Sequence, residues 1–242
     1  MMTIYRSESH LFSYSATGKK HLSAGIKNQD SCLARIFRGG VVLAVADGVG
    51  SCKYPRKASR KAIKCLLKTA KAFSRKTEID EQFIHLFSTK FQKGFRNIRK
   101  GMSTTLLFAV VYDDGRVAIG QAGDGAMISG FNGTWSVFKK KSDDFTNETY
   151  ALNAAKPYRG WAFKAKKITN PGTLSFCAFT DGLSEDVLDL AAFAKGTVFK
   201  LLNNREGELI SLVDKWPVPG STDDKTLAIM TVDFKERVSD GE

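Results

Sequence analysis

Val41-Val42-Leu43-Ala44-Val45-Ala46-Asp47-Gly48-Val49-Gly50 decides how the rest of the chain is read. Six consecutive apolar residues, half of them β-branched, make a buried strand, and the run ends on a carboxylate followed by a turn. The arrangement recurs. Val117–Ala122 precedes Asp124-Gly125, Leu174–Thr180 runs into Asp181-Gly182, and Thr226–Val232 follows Asp223-Asp224. Carboxylates held at strand ends can converge on one point, and several converging carboxylates repel one another unless a cation sits among them. An isolated Asp-Gly pair is the ordinary signal of a hairpin turn. Asp114-Gly115, flanked closely by Val110–Tyr112 and Arg116-Val117, reads as that turn and nothing more. The other sites hold residues a turn does not need, such as Val49-Gly50-Ser51 after Asp47-Gly48 and Leu183-Ser184-Glu185 after Asp181-Gly182.

Outward from this stretch, Leu11–Ser15, Ser31–Phe37 and Val41–Ala46 read as strands. A helix follows from Pro55, which suits a first helical turn. A second runs from about Asp80 to Lys100, with Phe83, Ile84, Phe87, Phe91, Phe95 and Ile98 as its apolar stripe and Gly94 interrupting it. The pattern then returns to strands over Thr104–Tyr112, Val117–Ala122, Ala126–Phe131 and Thr134–Phe138, the last two joined by Asn132-Gly133. Residues 139–171 are polar, basic and poor in period, and read as a surface excursion or flap beside the site. Leu174–Thr180 is a buried strand, 186–215 is mostly helical, and Thr226–Phe234 closes the chain. Strand pairs, two helices, more strands, helices and a final strand predict an α+β sandwich, not alternating βαβ units.

The 242 residues can build one domain with a substantial core, and nothing calls for a second. No apolar stretch is long enough to span a bilayer and the amino terminus lacks a secretory core, so no membrane association and a cytoplasmic setting are expected. Cys32, Cys52, Cys65 and Cys177 are scattered without a Cys-x-x-Cys pair, and only His10, His21 and His85 accompany them. That disfavours a His/Cys zinc site and leaves oxygen ligands for a hard cation. The formal charge of +12 raises a nucleic-acid hypothesis. Ten of the bases lie between Lys53 and Lys76 with no acid among them, mostly on the outer face of one amphipathic helix. A solvated surface explains such a face more readily than a docking site for an acidic partner, and no nucleic-acid-binding motif accompanies it, so nucleic acid is disfavoured.

Asn28-Gln29-Asp30, Ala46-Asp47-Gly48-Val49-Gly50, Gly101-Met102-Ser103-Thr104-Thr105, Gly123-Asp124-Gly125, Thr180-Asp181-Gly182-Leu183 and Asp223-Asp224-Lys225-Thr226 stand in one order. In that order the chain resembles the metal-dependent protein phosphatases of the 2C type, as a compact bacterial-style member matched from residue 28 to 232. The resemblance implies a four-layer αββα sandwich, two central antiparallel sheets flanked by helices, with two Mg2+ or Mn2+ ions at one end. By motif, Asp47 bridges both ions, the Gly48 carbonyl adds a ligand, and Asp181 and Asp223 complete the shells. Asp30 holds metal-bound water, and Asp124 with Asp181 resembles the place of a third, looser ion. Glu185 resembles an outer-shell carboxylate.

Several positions depart from the family pattern. Gly25 stands where an arginine often binds substrate phosphate, with Lys27 or the basic excursion as the candidate substitute. Val49 stands where some members carry a histidine acid. His21 is the alternative candidate to orient or protonate substrate, against an equally weighted reading as an ordinary loop histidine. The spacing to Thr226 favours Asp223 over Asp224 as the ligand. The expected function is hydrolysis of phosphoserine or phosphothreonine by a metal-activated water, in a signalling circuit opposed to a cognate Ser/Thr kinase. The alternatives are a catalytically weak family member that binds a phosphoprotein, and a basic nucleic-acid-binding or scaffold protein.

Overall fold

The computed structural model describes residues 3–76, 78–94, 101–138, 151–153, 160–216 and 221–237. In chain order, β1 (Ile4–Ala16), α1 (Lys19–Ser23), β2 (Ser31–Phe37) and β3 (Gly40–Ala46) precede the helices α2 (Pro55–Phe73) and α3 (Gln82–Lys93). Next come β4 (Ser103–Thr104), β5 (Leu106–Tyr112), β6 (Arg116–Ala122), β7 (Ala126–Phe131) and β8 (Thr134–Phe138). The short β9 (Leu152–Asn153), β10 (Trp161–Lys167) and β11 (Gly172–Phe179) lead to α4 (Asp181–Ser184), α5 (Leu190–Leu202), α6 (Glu206–Asp214) and β12 (Lys225–Glu236).

Two five-stranded antiparallel sheets result, ordered β1-β12-β11-β7-β8 and β10-β6-β5-β3-β2. The alternation of side chains along each strand explains why the central strands are apolar throughout. Val41, Leu43 and Val45 of β3 meet Leu174, Phe176, Ala228 and Met230 of the other sheet. Val42, Ala44 and Ala46 of the same strand face the opposite way, onto Ala58, Ala62 and Leu66 of α2 and Phe83 and Phe87 of α3. The far face of the β1-containing sheet is covered likewise, with Cys177, Phe179, Leu227 and Ile229 against Val198 and Leu201 of α5 and Leu209 of α6. Three apolar layers between four layers of structure give the expected αββα sandwich, because each sheet must bury both faces.

Differences from the sequence reading fall at edges and ends. The edge strand β1 begins at Ile4 instead of Leu11: Arg6–His10 is polar throughout and offers no apolar run to mark a strand, yet at the rim of its sheet it pairs with the end of β12. Trp161–Lys167, expected within the surface excursion, is strand β10 paired antiparallel with β6. Its lysines mask the alternation that puts Trp161 and Phe163 onto the helical layer. Of the rest of that excursion, β9 at Leu152–Asn153 pairs with β4, while 139–150 and 154–159 lie outside the described residues, as do 95–100 at the end of the expected second helix. Helix α3 stops at Lys93, with Gly94 as its C-cap. No described helix is long and apolar enough to cross a membrane.

Candidate metal centre

The carboxyl end of β3 places Asp47 at one end of the sandwich. Its backbone is clamped: the Asp47 N–H donates to Thr105 Oγ1 at 2.8 Å, and its C=O accepts from Thr105 N at 2.7 Å and Thr104 Oγ1 at 2.6 Å. Gly48 bridges to Thr104, and α2 begins against it so closely that a Cβ at Gly48 would lie 2.4 Å from the Pro55 carbonyl oxygen. Only glycine fits there, and the chain turns from strand to loop without moving Asp47.

Asp30 comes from the other rim of the same sheet, one residue before β2. It is 7% exposed, and its Oδ2 accepts from the Thr226 hydroxyl at 2.6 Å and the Thr180 hydroxyl at 2.9 Å. The two threonines sit side by side on β12 and at the end of β11, joined by the Thr180 N–H to Thr226 C=O bond at 3.1 Å. Asp30 Oδ1 is buried and accepts no hydrogen bond from an N–H or hydroxyl of the described residues, and the Asp47 carboxyl is the group near its carboxyl. An unpartnered, buried carboxylate oxygen is costly unless something supplies positive charge or a donor.

Asp181 follows Thr180 directly, at the first residue of α4, and accepts from the Gly182 N–H at 2.9 Å. Burial, then the charge of Asp124, pushes its carboxyl up to about 7, with Asp30 and Asp223 adding to the effect. Asp124 reaches this neighbourhood from the loop after β6, exposed between Gly123 at φ 94° and Gly125 at φ 93°. Both glycines occupy backbone that residues with a Cβ rarely adopt, so they set the turn that brings Asp124 near Asp181. Burial, then the Asp30 charge and those of Asp181 and Asp223, holds the Asp47 carboxyl far above the usual carboxylate range. Asp30 is raised too, chiefly by burial. The Asp30 and Asp47 carboxyls are near enough to hydrogen-bond, which two carboxylates do only when one takes a proton. No described Lys or Arg forms an ion pair with any of the three groups.

The adjacent residues Asp223 and Asp224 part ways. Asp223 is exposed and contributes its charge to Asp47 and Asp181. Asp224 is 2% exposed, and donors fill its oxygens: Gly18 N at 2.8 Å on Oδ1, Gln29 N at 2.6 Å and His21 Nδ1 at 2.9 Å on Oδ2. His21 is therefore a buried, oriented side chain and not a loose loop histidine, and its Nδ1 carries the hydrogen. One ligand atom each of His21, Asp223 and Asp224 lies within 4.8 Å of the others. With Asp224 committed to three N–H groups, the oxygens left to hold a cation are those of Asp47, Asp181, Asp223 and Asp124, with Asp30 Oδ1 beside them. An all-oxygen, carboxylate-rich set fits a hard divalent cation; the buried Lys225 ammonium beside it donates to the Asp223 carbonyl oxygen at 3.0 Å, and no described Lys or Arg forms an ion pair with Asp30, Asp47 or Asp181.

A family model described as Protein phosphatase 2C matches residues 17–212. The chain belongs to the protein phosphatase 2C family. A search of curated proteins returned no match. Among solved structures this 2C domain is similar to RsbX crystallised in complex with magnesium, at 15% identity and TM-score 0.62 over 96% of this chain and 100% of that one. It is also similar to the S. agalactiae serine/threonine phosphatase, at 14% identity and TM-score 0.64 over 92% and 99% of the two chains. The catalytic domain of PstP, in complex with 2 manganese ions, gives 16% identity and TM-score 0.61 over 95% and 99%. At such identities the likeness establishes the fold.

Within the 2C domain, Lys27 is exposed on the loop before Asn28 and forms no ion pair with a described residue. Glu185 is exposed, tied to the site through its backbone N–H on the Asp181 carbonyl at 3.1 Å. The residues the sequence reading left without a role are Thr180, Thr226, Thr105 and Asp224. Each stands inside a quoted motif, but its partner lies tens to hundreds of residues away. A cavity of about 680 Å3 between the edges of β8 and β10 is lined by Trp161, Phe138 and Lys164 among others, and none of these carboxylates lines it.

Proposed function

We propose that the chain is a metal-dependent serine/threonine protein phosphatase that hydrolyses phosphoserine or phosphothreonine by direct attack of water. The observation that carries this reading is the buried Asp30 Oδ1, which receives no N–H or O–H from a described residue, amid the carboxyls of Asp47 and Asp181, with which no described Lys or Arg forms an ion pair. Family membership supports it, as do relatives crystallised with magnesium or two manganese ions. Asp47, the Gly48 carbonyl, Asp181 and Asp223 would hold two Mg2+ or Mn2+ ions, and Asp124 with Asp181 a third. Bound divalent cations lower the pKa of water and neutralise charge on phosphoryl oxygens.

The chain's own groups do the rest. Thr180 and Thr226 fix Asp30 so that Oδ1 accepts a hydrogen bond from the attacking water and aligns it. His21, held at Nδ1 by Asp224, offers Nε2 to protonate the leaving hydroxyl oxygen. Lys27 is the candidate to meet a substrate phosphate oxygen. The substrate would be a phosphoprotein made by an opposing Ser/Thr kinase in cytoplasmic signalling.

Manganese-dependent hydrolysis of a small aryl phosphate and of a phosphothreonine peptide, abolished by chelation, is the expected result. Full activity in both Asp47→Asn and Asp181→Asn overturns the site assignment. A wild-type protein inactive with either metal on both substrates overturns the enzymatic reading.

A further inference from the structure

Helix α2 presents to solvent a row of cations that no described acid neutralises. Between Pro55 and Phe73 stand seven Lys or Arg residues and no acid. Lys57, Arg60, Lys64, Lys68 and Lys71 are exposed, and none forms an ion pair with a described residue. Spacings of three and four residues put them on one face, about 21 Å long at the helical rise per residue. Like charges at that spacing work against the helix, so its stability does not account for them. Nor does the architecture demand a basic helical layer. On the other side of the sandwich, Leu190–Asp214 balances three bases with three acids, and Lys200 and Arg205 both bond Glu208.

The row begins at the candidate metal centre. A cavity of about 350 Å3 is lined by Asp30, Ser31, Cys32, Arg60, Ile63 and Lys64, so the first cations of the row share a hollow with a residue of that centre. At the far end, Lys71 and Arg75 line a second hollow of about 550 Å3 together with Arg38 from the turn between β2 and β3. A basic track that opens at one end onto the carboxylate cluster suits a molecule occupying both at once.

We propose that this face of α2 docks an acidic stretch of the phosphorylated polypeptide substrate, running from the hollow at Asp30 toward the hollow at Arg38. The proposal rests on the phosphatase reading of the neighbouring centre. An extended chain rises about 3.3 Å per residue, so the track engages roughly six residues beside the phosphorylated one. Exposed charges act through screened attraction, so the docking is salt-sensitive. A nucleic acid would meet the same cations, but continuity with the carboxylate end favours a substrate polypeptide.

Two phosphothreonine peptides of equal length test this, one flanked by Asp and Glu and the other by Gln and Ser, with a small aryl phosphate as the reference substrate. The expected kcat/KM of the wild type favours the acidic peptide about tenfold near 50 mM NaCl, and the preference collapses near 500 mM. Lys68→Glu/Lys71→Glu loses the preference. Lys195→Glu/Lys215→Glu, the same change in net charge placed at the α5–α6 side, retains it. Hydrolysis of the aryl phosphate without an acidic preference overturns the docking and leaves the phosphatase reading intact. If no substrate is turned over, the phosphatase reading fails and fluorescence anisotropy of the labelled peptides decides the docking. Binding lost in Lys68→Glu/Lys71→Glu then supports it, and equal binding of both peptides overturns it. Displacement of the acidic peptide by a duplex oligonucleotide more readily than by unlabelled peptide assigns the face to nucleic acid and overturns the proposal.

Discussion

The sheet that holds β3, β5 and β6 carries aspartates at both of its ends, and the two ends treat them in opposite ways. At the turn between β5 and β6, Asp113 pairs with Arg6 at 2.6 Å and Asp114 with Arg116 at 2.7 Å. At the other end of the same sheet, Asp47 and Asp30 face each other with Asp181 and Asp223 nearby, and burial and neighbouring carboxylates raise the carboxyls of Asp47, Asp30 and Asp181. An Asp-Gly sequence is thus a fastened turn where a guanidinium is supplied and an unbalanced cluster where none is. Counter-charge separates structural from functional carboxylates here, and each substitution below changes that balance at one end.

The largest effect is expected at Asp47. Asp47→Asn removes a carboxylate oxygen proposed to hold the cations, so activity with manganese falls more than about a hundredfold. Because burial keeps the Asp47 carboxyl protonated in the metal-free fold, the same substitution removes the cost of taking up that proton on folding. Its Tm in chelator should therefore rise above wild type, by about 2–4 °C for each kcal/mol of that cost removed. Thermal unfolding with and without chelator checks both halves. A drop in metal-free Tm would show that Asp47 is a structural residue like those at the opposite end.

Asp224→Asn ranks next. Asp224 holds the Gly18 and Gln29 N–H groups and His21 in one place, and an amide accepts at only one of its two terminal atoms. Activity should fall about 10- to 100-fold, as for other groups that orient a metal site. Unlike Asp47→Asn, this variant should lose stability, by about 1–3 kcal/mol, because buried donors are left unpaired. Denaturant titration of the two variants side by side separates a positioning carboxylate from a ligand.

That pair also marks what the sequence disclosed. Asp47, Asp181 and Asp223 are legible because each abuts an apolar strand, and strand ends are where a sheet gathers side chains. Asp223 stays exposed, while the Asp224 oxygens are taken by three N–H groups. What Asp224 does could not be read, because its partners Gly18, His21 and Gln29 lie some two hundred residues earlier and meet it only when β1 pairs with β12. The sandwich itself was legible from the apolar runs and the basic helix. Strand β10 was not, since an edge strand shows lysines on the face that a central strand would bury.

The pH dependence of the metal-free protein isolates the unbalanced end. The Asp181 carboxyl sits at about 7 in the fold, raised from 3.8 first by burial and then by Asp124. An acid whose folded pKa is raised contributes stability that is fully present below its unfolded pKa and is lost as pH rises through the folded value. In chelator, Tm should therefore decline between pH about 4 and 7, with Asp47 extending the decline upward. Excess manganese should restore more stability at the alkaline side of this window than at the acid side, since there it displaces fewer protons. Asp181→Asn should flatten the metal-free profile. A profile already flat in the wild type would show that the carboxylates are relieved by some other means.

The smallest effect belongs to the fastened end, and it completes the contrast. Asp114→Asn removes the carboxylate from Arg116, but Asp114 is 54% exposed on its side chain and water replaces much of what it gives. Arg116 keeps its bond to the Phe73 carbonyl at 3.3 Å and its place 4.7 Å over the Tyr112 ring. The expected cost is about 0–1 kcal/mol, the range of an exposed ion pair. Because the turn lies at the opposite end of β5 from Asp47, activity with manganese should be unchanged. So should the fall in metal-free Tm with pH, and that slope is the sharper test. If Asp114→Asn altered it, the two ends would be electrostatically coupled through the sheet, and the proton uptake assigned to the carboxylate cluster would belong partly to the turn.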